Sequence, residues 1–199
     1  MSQRIPRQAR RATSVHALLT LAVVALDTPA WSEPLALRLD PKASAVRFTL
    51  DAFAHTIHGS FAVSSGAIQF DPATGAASGE ILVDATSGET GNGSRDGKMH
   101  AKVLESARFP KIVFTATRLT GAFAREGASQ LQLGGAITLH GASHPVLLAV
   151  STEGRGGKLT ATAPLTVPFV EWGLEDPSNF VLRIAKQVEV EIHAQGALE

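Results

Sequence analysis

The stretch "TGNGSRDGKMHAKVLESARFPKIVF", residues Thr90–Phe114, decides the fold, because it places one short polar helix inside a chain that otherwise alternates like β-strands. Asn92 or Ser94 can cap the N-terminus of this helix by accepting backbone N–H groups. Asp96 follows in the first turn, where the helix dipole favours an acidic side chain. These residues predict where the helix begins.

The same helix carries an apolar stripe on one face. Met99, Val103 and Ala107 recur every four residues and Leu104 lies beside them, which is the spacing of an amphipathic helix. Pro110 is expected to end the helix, since proline has no backbone N–H to donate. A single amphipathic helix among strands predicts a lid over an apolar surface.

The sequence on both sides of the helix has the two-residue period of half-buried strands. In Ser44–Asp51, Val46, Phe48 and Leu50 point one way and the polar residues between them point the other way. Alternation at regular spacing, with turn residues between segments, predicts an antiparallel sandwich or barrel of about eight to ten strands. The other predicted strands are residues 35–39, 56–63, 66–71, 79–85, 111–119, 131–140, 145–153, 158–167 and 187–194.

The fold class expected from this pattern is all-β, an extended antiparallel β-barrel of about eight strands with one short helix at the barrel mouth. A closed barrel leaves no exposed strand edge. At about eight strands its interior is filled by side chains or holds one slender ligand. We expect the helix to cover the open end, with its apolar stripe facing inward.

Composition limits the alternatives. The chain has 199 residues, of which 44% are hydrophobic and 18% charged, which excludes a largely disordered protein. It has no cysteine, so disulfides, thiolate catalysis and cysteine-ligated zinc are excluded.

The first 32 residues have the pattern of a secretory signal peptide. Four arginines precede the apolar run Val15–Leu26, and a small-residue cleavage site, "AWS", follows at Ala30–Ser32. The alternative is an N-terminal membrane anchor, but a run this short cannot cross about 30 Å of hydrocarbon as a helix. We expect residues 1–32 to be cleaved, residues 33–199 to form one domain, and the product to be periplasmic or secreted.

The expected mature chain is mildly acidic. Residues 33–199 retain 14 of the 18 basic and 17 of the 18 acidic residues, a net charge of −3. This charge does not favour nucleic acid as a partner. The sequence leaves a monomer and a homodimer open, and it predicts no membrane-spanning helix in the mature chain, although transient membrane contact would serve cargo exchange.

The inward positions offer few hydrogen-bonding groups. The chain has nine Phe, no Tyr and two Trp, and many remaining inward positions are Ala, Val, Ile or Leu. Such a lining suits a long hydrocarbon, although the same alternation also marks an ordinary solid core. The candidate contacts for an apolar tail are Phe48, Leu50, Phe61, Phe70, Met99, Leu104, Phe114, Leu133, Leu148, Trp172 and Phe180. The candidate contacts for a polar headgroup are Asn92, Arg95, Asp96 and His100, with solvation or local pairing as the alternative for Arg95 and Asp96.

These segments, in this order, resemble the YceI-like family of polyisoprenoid-binding proteins. The resemblance runs from about Leu39 to Ala194 and rests on "LDPKASAVRFTL", "IHGSF" with "GAIQFDP", "SGETGNGSRDGKMHAKVLESARFPKIVF", "GAITLHGASHPVLL" and "VPFVEWGLEDPSNFVLRIAKQVEVEI". It implies a lipocalin-like barrel whose interior takes a long isoprenoid tail, such as that of a polyprenyl quinone. It also implies export and the absence of enzymatic activity.

Metal and acid–base chemistry are weaker alternatives. His55 and His58 are three residues apart, so on a strand they point to opposite faces and cannot easily share one ion. His140 and His144 flank a turn without a third ligand, and we expect neither a metal nor another cofactor apart from the bound lipid. The acids of a Pro/Gly-rich loop, Glu171, Glu175 and Asp176, could form a carboxylate pair, as in a hydrolytic barrel enzyme.

Three functions therefore follow from the sequence. The first is an exported carrier or reservoir for an isoprenoid lipid. The second is a solid-cored envelope or stress-related barrel that acts through surface contacts. The third is a hydrolytic barrel that uses the loop acids.

Overall fold

The computed structural model describes residues 34–53, 55–178 and 183–199. The predicted signal peptide, residues 1–32, and Phe180 lie outside these ranges. Within these ranges the chain forms nine strands: β1 Leu35–Leu39, β2 Ala45–Ala52, β3 His55–Phe70, β4 Ala77–Asp84, β5 Lys111–Thr120, β6 Gly127–Leu139, β7 Ala142–Arg155, β8 Lys158–Val167 and β9 Val188–Leu198.

The strands form one closed antiparallel barrel. From β2 the order runs β9, β8, β7, β6, β5, β4 and β3, and β3 returns to β2. The ninth strand, β1, pairs with the later parts of β3 and β9, where β2 no longer reaches them. Nine strands thus occupy eight positions around the barrel, which confirms the predicted fold class.

Strand β3 corrects one detail of the sequence reading. Residues 56–63 and 66–71 were expected to be two strands, but a single 16-residue strand runs through both. A β-bulge between Val63 and Ser65 inserts one residue into its pairing with β4. Because of that extra residue, the buried side chains change from odd positions such as Ile57 to even positions such as Ile68.

The predicted helix is present but ends earlier than expected. Helix α1 spans Gly93–Lys98, and a π-helical turn continues it over Met99–Val103. The prediction that Pro110 ends the helix was wrong, because Glu105 already adopts a left-handed backbone with φ 44°. We call residues 93–104 the lid.

The two ends of the barrel differ. The mouth end carries the lid, the β2–β3 and β6–β7 turns and the connection from β8 to β9. At the opposite end, Phe123 of the β5–β6 connection packs edge-on against Phe70, with 5.0 Å between the ring centroids. Within the described ranges, no helix has the length and apolar character needed to span a bilayer.

Candidate lipid-binding cavity

The barrel contains a cavity of about 810 Å³, which is lined mainly by the apolar side chains that alternate along its strands. This volume lies in the upper part of the range of ~300–1,000 Å³ typical of small-molecule sites. Every predicted tail contact within the described residues lines it: Phe48, Leu50, Phe61, Phe70, Met99, Leu104, Phe114, Leu133, Leu148 and Trp172.

Aromatic rings form part of the cavity wall by lying over glycines of neighbouring strands. Phe48 faces Gly59 across the β2–β3 pair, and a side chain at Gly59 would overlap the Phe48 ring. The Phe48 ring also packs against Phe61, with 5.3 Å between centroids. Gly59 therefore makes room for a large ring that shapes the cavity.

The lid is fastened at its N-terminus by a small polar cluster. The Asn92 side chain accepts a hydrogen bond from the backbone N–H of Arg95 at 3.1 Å, as predicted for a cap. The Arg95 guanidinium donates to the hydroxyl and carbonyl oxygens of Thr90 at 2.7 and 3.0 Å. Asp96 accepts from the N–H and hydroxyl of the same Thr90.

These contacts separate the four predicted headgroup residues into two groups. Asn92 and Arg95 line the cavity, whereas Asp96 and His100 are outside its lining. His100 donates from Nε2 to the carbonyl of Gly88 at 2.8 Å, and its Nδ1 lies 2.9 Å from the Ser106 hydroxyl. The structure therefore places Asp96 and His100 where they hold the lid in position.

The π-helical turn explains how the lid presents its apolar side chains. The N–H of Leu104 donates to the carbonyl of Met99 at 2.9 Å, a hydrogen bond over five residues. This wider turn directs Met99, Val103 and Leu104 into the same cavity. Ala107, the fourth member of the predicted stripe, is exposed instead.

Two basic side chains that the sequence reading did not select also line the mouth. Lys98 and Lys102 join Arg95 in the cavity lining, and Glu175 contributes one acidic side chain. Residues 95, 98 and 102 follow the spacing of one helix face, but this spacing does not show whether that face meets an opening.

Trp172, in the connection between β8 and β9, lines the cavity. Its indole ring stacks parallel on the His144 ring with 4.1 Å between centroids. His144 therefore contacts the indole ring of Trp172, whereas His140 donates a hydrogen bond to the Glu105 carboxylate. Within the described part of the chain, no group of three or more acidic or histidine side chains is arranged to hold a metal ion.

The loop acids occupy different environments. Glu171 is exposed and Glu175 lies at the cavity mouth. Hydrogen bonds from the Ser178 hydroxyl and backbone N–H lower the pKa of Asp176 below its ordinary value of 3.8. A carboxyl group with a lowered pKa is a poor proton donor near neutral pH, which disfavours Asp176 as a general acid.

Comparison with known proteins places the chain in a family. The model of the YceI-like domain family matches residues 37–196. Among curated relatives, a UPF0312 protein from Vibrio cholerae serotype O1 (strain M66-2) is 26% identical over 148 residues, which cover 70% of this chain and 74% of the relative.

Solved structures show the same fold at low sequence identity. BcnA from Burkholderia cenocepacia superposes with a TM-score of 0.66 at 17% identity, covering 80% of this chain and 99% of BcnA. A domain from Saccharophagus degradans, described as a polyisoprenoid binding domain implicated in plant cell wall breakdown, gives 0.65 at 19% identity over 82% and 99% of the two chains. On the match over residues 37–196, the chain belongs to the YceI-like domain family.

Proposed function

We propose that the protein holds one long isoprenoid lipid, such as a polyprenyl quinone, inside its barrel, as an exported carrier or reservoir. The observation that carries this proposal is the apolar cavity of about 810 Å³ beneath the lid. The similar barrel from Saccharophagus degradans, described as a polyisoprenoid binding domain, supports the same ligand class.

The cavity volume sets the length of tail that fits. One molecule of liquid water occupies ~30 Å³, and we take the same volume for each non-hydrogen atom of the tail. A cavity of 810 Å³ then holds roughly 27 such atoms. That number corresponds to about five isoprene units of five carbons each. The remainder of a longer tail would extend through the mouth.

Burial of the tail dominates the binding free energy. Each buried CH₂ group contributes roughly 0.8 kcal/mol, so one isoprene unit contributes about 3–4 kcal/mol before costs. Ordering the tail and losing overall motion oppose this gain. Affinity therefore follows tail length, while the headgroup sets orientation.

The headgroup is proposed to lie at the mouth, next to Asn92 and Arg95. Both residues line the cavity there. Asp96 and His100 act on the lid, through Thr90 and Gly88 respectively. This arrangement keeps the polar end of the ligand near water and the tail within the apolar wall.

The cavity favours a carrier over the two other functions. A protein that acts only through its surface has no need of an apolar cavity, and Asp176, with its lowered pKa, is a poor general acid. We therefore propose a non-enzymatic protein that needs no cofactor besides its lipid. Export to the periplasm or medium follows from the signal-like residues 1–32.

Native mass spectrometry of protein purified from its producing cells tests this function. The expected spectrum shows the chain plus one lipid, and organic extraction of the same sample yields a prenyl lipid. An empty protein that also takes up no added prenyl quinone would overturn the proposal.

A further inference from the structure

One exposed aromatic side chain lies at the end of the barrel where the cavity opens. Phe53, at the tip of the β2–β3 hairpin, is 81% exposed. Two residues later His55 lines the cavity. Among the described residues, the other large apolar side chain with high exposure is Leu147, at 64%, in the barrel wall.

The hairpin that carries Phe53 is anchored to the chain beside it. The backbone N–H of Phe53 donates to the carbonyl of Arg183 at 2.9 Å, and Ala52 forms an antiparallel bridge with Ile184. Because Ile184 also lines the cavity, Phe53 is held at the edge of the opening. The anchored backbone therefore keeps this ring in water at the end of the barrel where the cavity opens.

Basic side chains lie at the same end of the barrel. Arg95, Lys98 and Lys102, all in the lid, line the cavity, and none of the ion pairs within the described ranges involves them. Nearby acids are engaged inside the fold, since Asp96 accepts from Thr90 and Glu105 accepts from His140. Glu175 is the one acid in the described lining.

This local charge is opposite in sign to that of the chain as a whole. Residues 33–199 carry a net charge of −3, yet three cations and a single acid, Glu175, are in the described lining of the cavity. An exposed aromatic ring and cations without an acidic partner, at the same end of a protein, form the combination that binds the interface of an anionic bilayer. A protein partner would need a matching acidic and apolar surface, whereas an anionic membrane supplies both features everywhere.

We propose that this mouth surface, formed by Phe53, Arg95, Lys98 and Lys102, docks on the surface of an anionic lipid bilayer. Phe53 enters the headgroup region and the cations contact lipid phosphates. The inference rests on the proposed function, because docking lets a prenyl chain pass between membrane and cavity without crossing water. One aromatic ring and three cations give reversible attachment, which suits an exchange step.

Vesicle flotation with the purified protein tests the docking. One set of vesicles contains phosphatidylcholine alone, and the other contains equal parts of phosphatidylcholine and phosphatidylglycerol. The expected result is clear binding to the anionic vesicles only. Lys98→Ala and Lys102→Ala should each weaken that binding about fivefold, the effect of roughly one unit charge near an anionic surface. Lys158→Ala, at the opposite end of the barrel, should leave it unchanged.

The contact between Phe53 and the bilayer is tested with two variants that each remove one exposed apolar side chain, Phe53→Ser and Leu147→Ser. Phe53→Ser should abolish flotation, while Leu147→Ser, at an exposed position in the barrel wall, should not. Equal loss in both variants, or unchanged flotation of Phe53→Ser, would overturn the proposal. A change from dimer to monomer in Phe53→Ser would also overturn it, since the surface would then bind a second copy.

A third arm separates the failure of docking from the failure of the proposed function. Prenyl quinone is delivered from ethanol, without vesicles, and uptake is measured by native mass spectrometry. Uptake without flotation contradicts docking and leaves the carrier function standing. Flotation without uptake contradicts the carrier function itself.

Discussion

The Nε2 atom of His140 lies 2.8 Å from the Oε2 atom of Glu105, and both residues adopt left-handed backbone conformations, with φ 52° and 44°. Glu105 follows the lid and His140 begins the β6–β7 turn. The hydrogen bond therefore connects the end of the lid to the barrel. Left-handed conformations are unfavourable for these residue types, so the contact compensates for local backbone cost.

Removing this contact should loosen the lid. Glu105→Ala removes the hydrogen bond, while residue 105 still has to adopt the unfavourable left-handed backbone conformation. We therefore expect the free energy of unfolding to fall by about 1 kcal/mol. Glu105→Gly also loses the hydrogen bond but relieves the backbone, and should be more stable than the alanine variant by about 1 kcal/mol. Denaturant unfolding of the three proteins checks both values. A glycine variant that is the least stable would contradict this account.

A charge on the inner face of the lid should release the lipid. Met99→Asp places a carboxylate in the apolar cavity, so lipid retention should fall more than the melting temperature. Ala101→Asp, on the exposed face of the same lid, is the control and should retain lipid. Loss of stability with unchanged retention by the remaining folded protein would mean that the lid belongs to the core.

Two glycine-to-alanine substitutions should change the free energy of unfolding in opposite directions. Gly59→Ala forces the Phe48 ring from its place and should cost about 1–3 kcal/mol. Gly97→Ala meets no atom within 4 Å and lies in a helix, so it should add about 0.5–1 kcal/mol. Urea unfolding measures both effects. A neutral Gly59→Ala would contradict the tight contact between ring and backbone.

Tail length should control affinity up to the capacity of the cavity. We expect tighter binding with each added isoprene unit up to about five units, and little further gain beyond that, because the cavity holds roughly 27 non-hydrogen atoms. Competition among a series of prenyl alcohols measures this dependence. Affinity that does not change with length would show that the tail lies outside the barrel.

Asp84 should contribute to acid sensitivity. Hydrogen bonds from the Thr86 hydroxyl and backbone N–H lower the pKa of Asp84 below its ordinary value of 3.8. Its contribution to stability is therefore present above that ordinary value and is lost as the pH falls through the lowered pKa. Asp84→Asn should remove this part of the pH dependence. An Asp84→Asn variant whose stability falls as steeply as that of the wild-type protein when the pH drops below 3.8 would contradict it.

Strand alternation predicted an antiparallel sandwich or barrel, but it did not predict the details of the barrel. Period-two patterns such as that of Phe48 and Leu50 reveal which side chains share a face. The bulge between Val63 and Ser65 leaves no such mark, because serine and alanine fit either face. The pairing of β2 with β9, and the sharing of one barrel position by β1 and β2, depend on contacts between residues far apart in the sequence.

The sequence predicted those residues of the candidate site whose position follows from apolar periodicity. It did not predict those whose position depends on local contacts in the folded chain. Met99 and Leu104 are on the helix stripe and line the cavity. Lys98 and Lys102 were missed, since a helix surface with many charges does not show which of them meets an opening. The role of His100 depends on its contacts with Gly88 and Ser106, which sequence spacing does not indicate.

Filling the cavity is the most direct test of the account. Leu148 is 4% exposed and lines the cavity wall, so Leu148→Trp places about six further non-hydrogen atoms in a space that holds roughly 27. In native mass spectrometry with one added prenyl quinone of about five isoprene units, the folded variant should form much less of the one-to-one complex than the wild-type protein. Equal binding by both proteins would contradict the claim that the lipid lies inside the barrel.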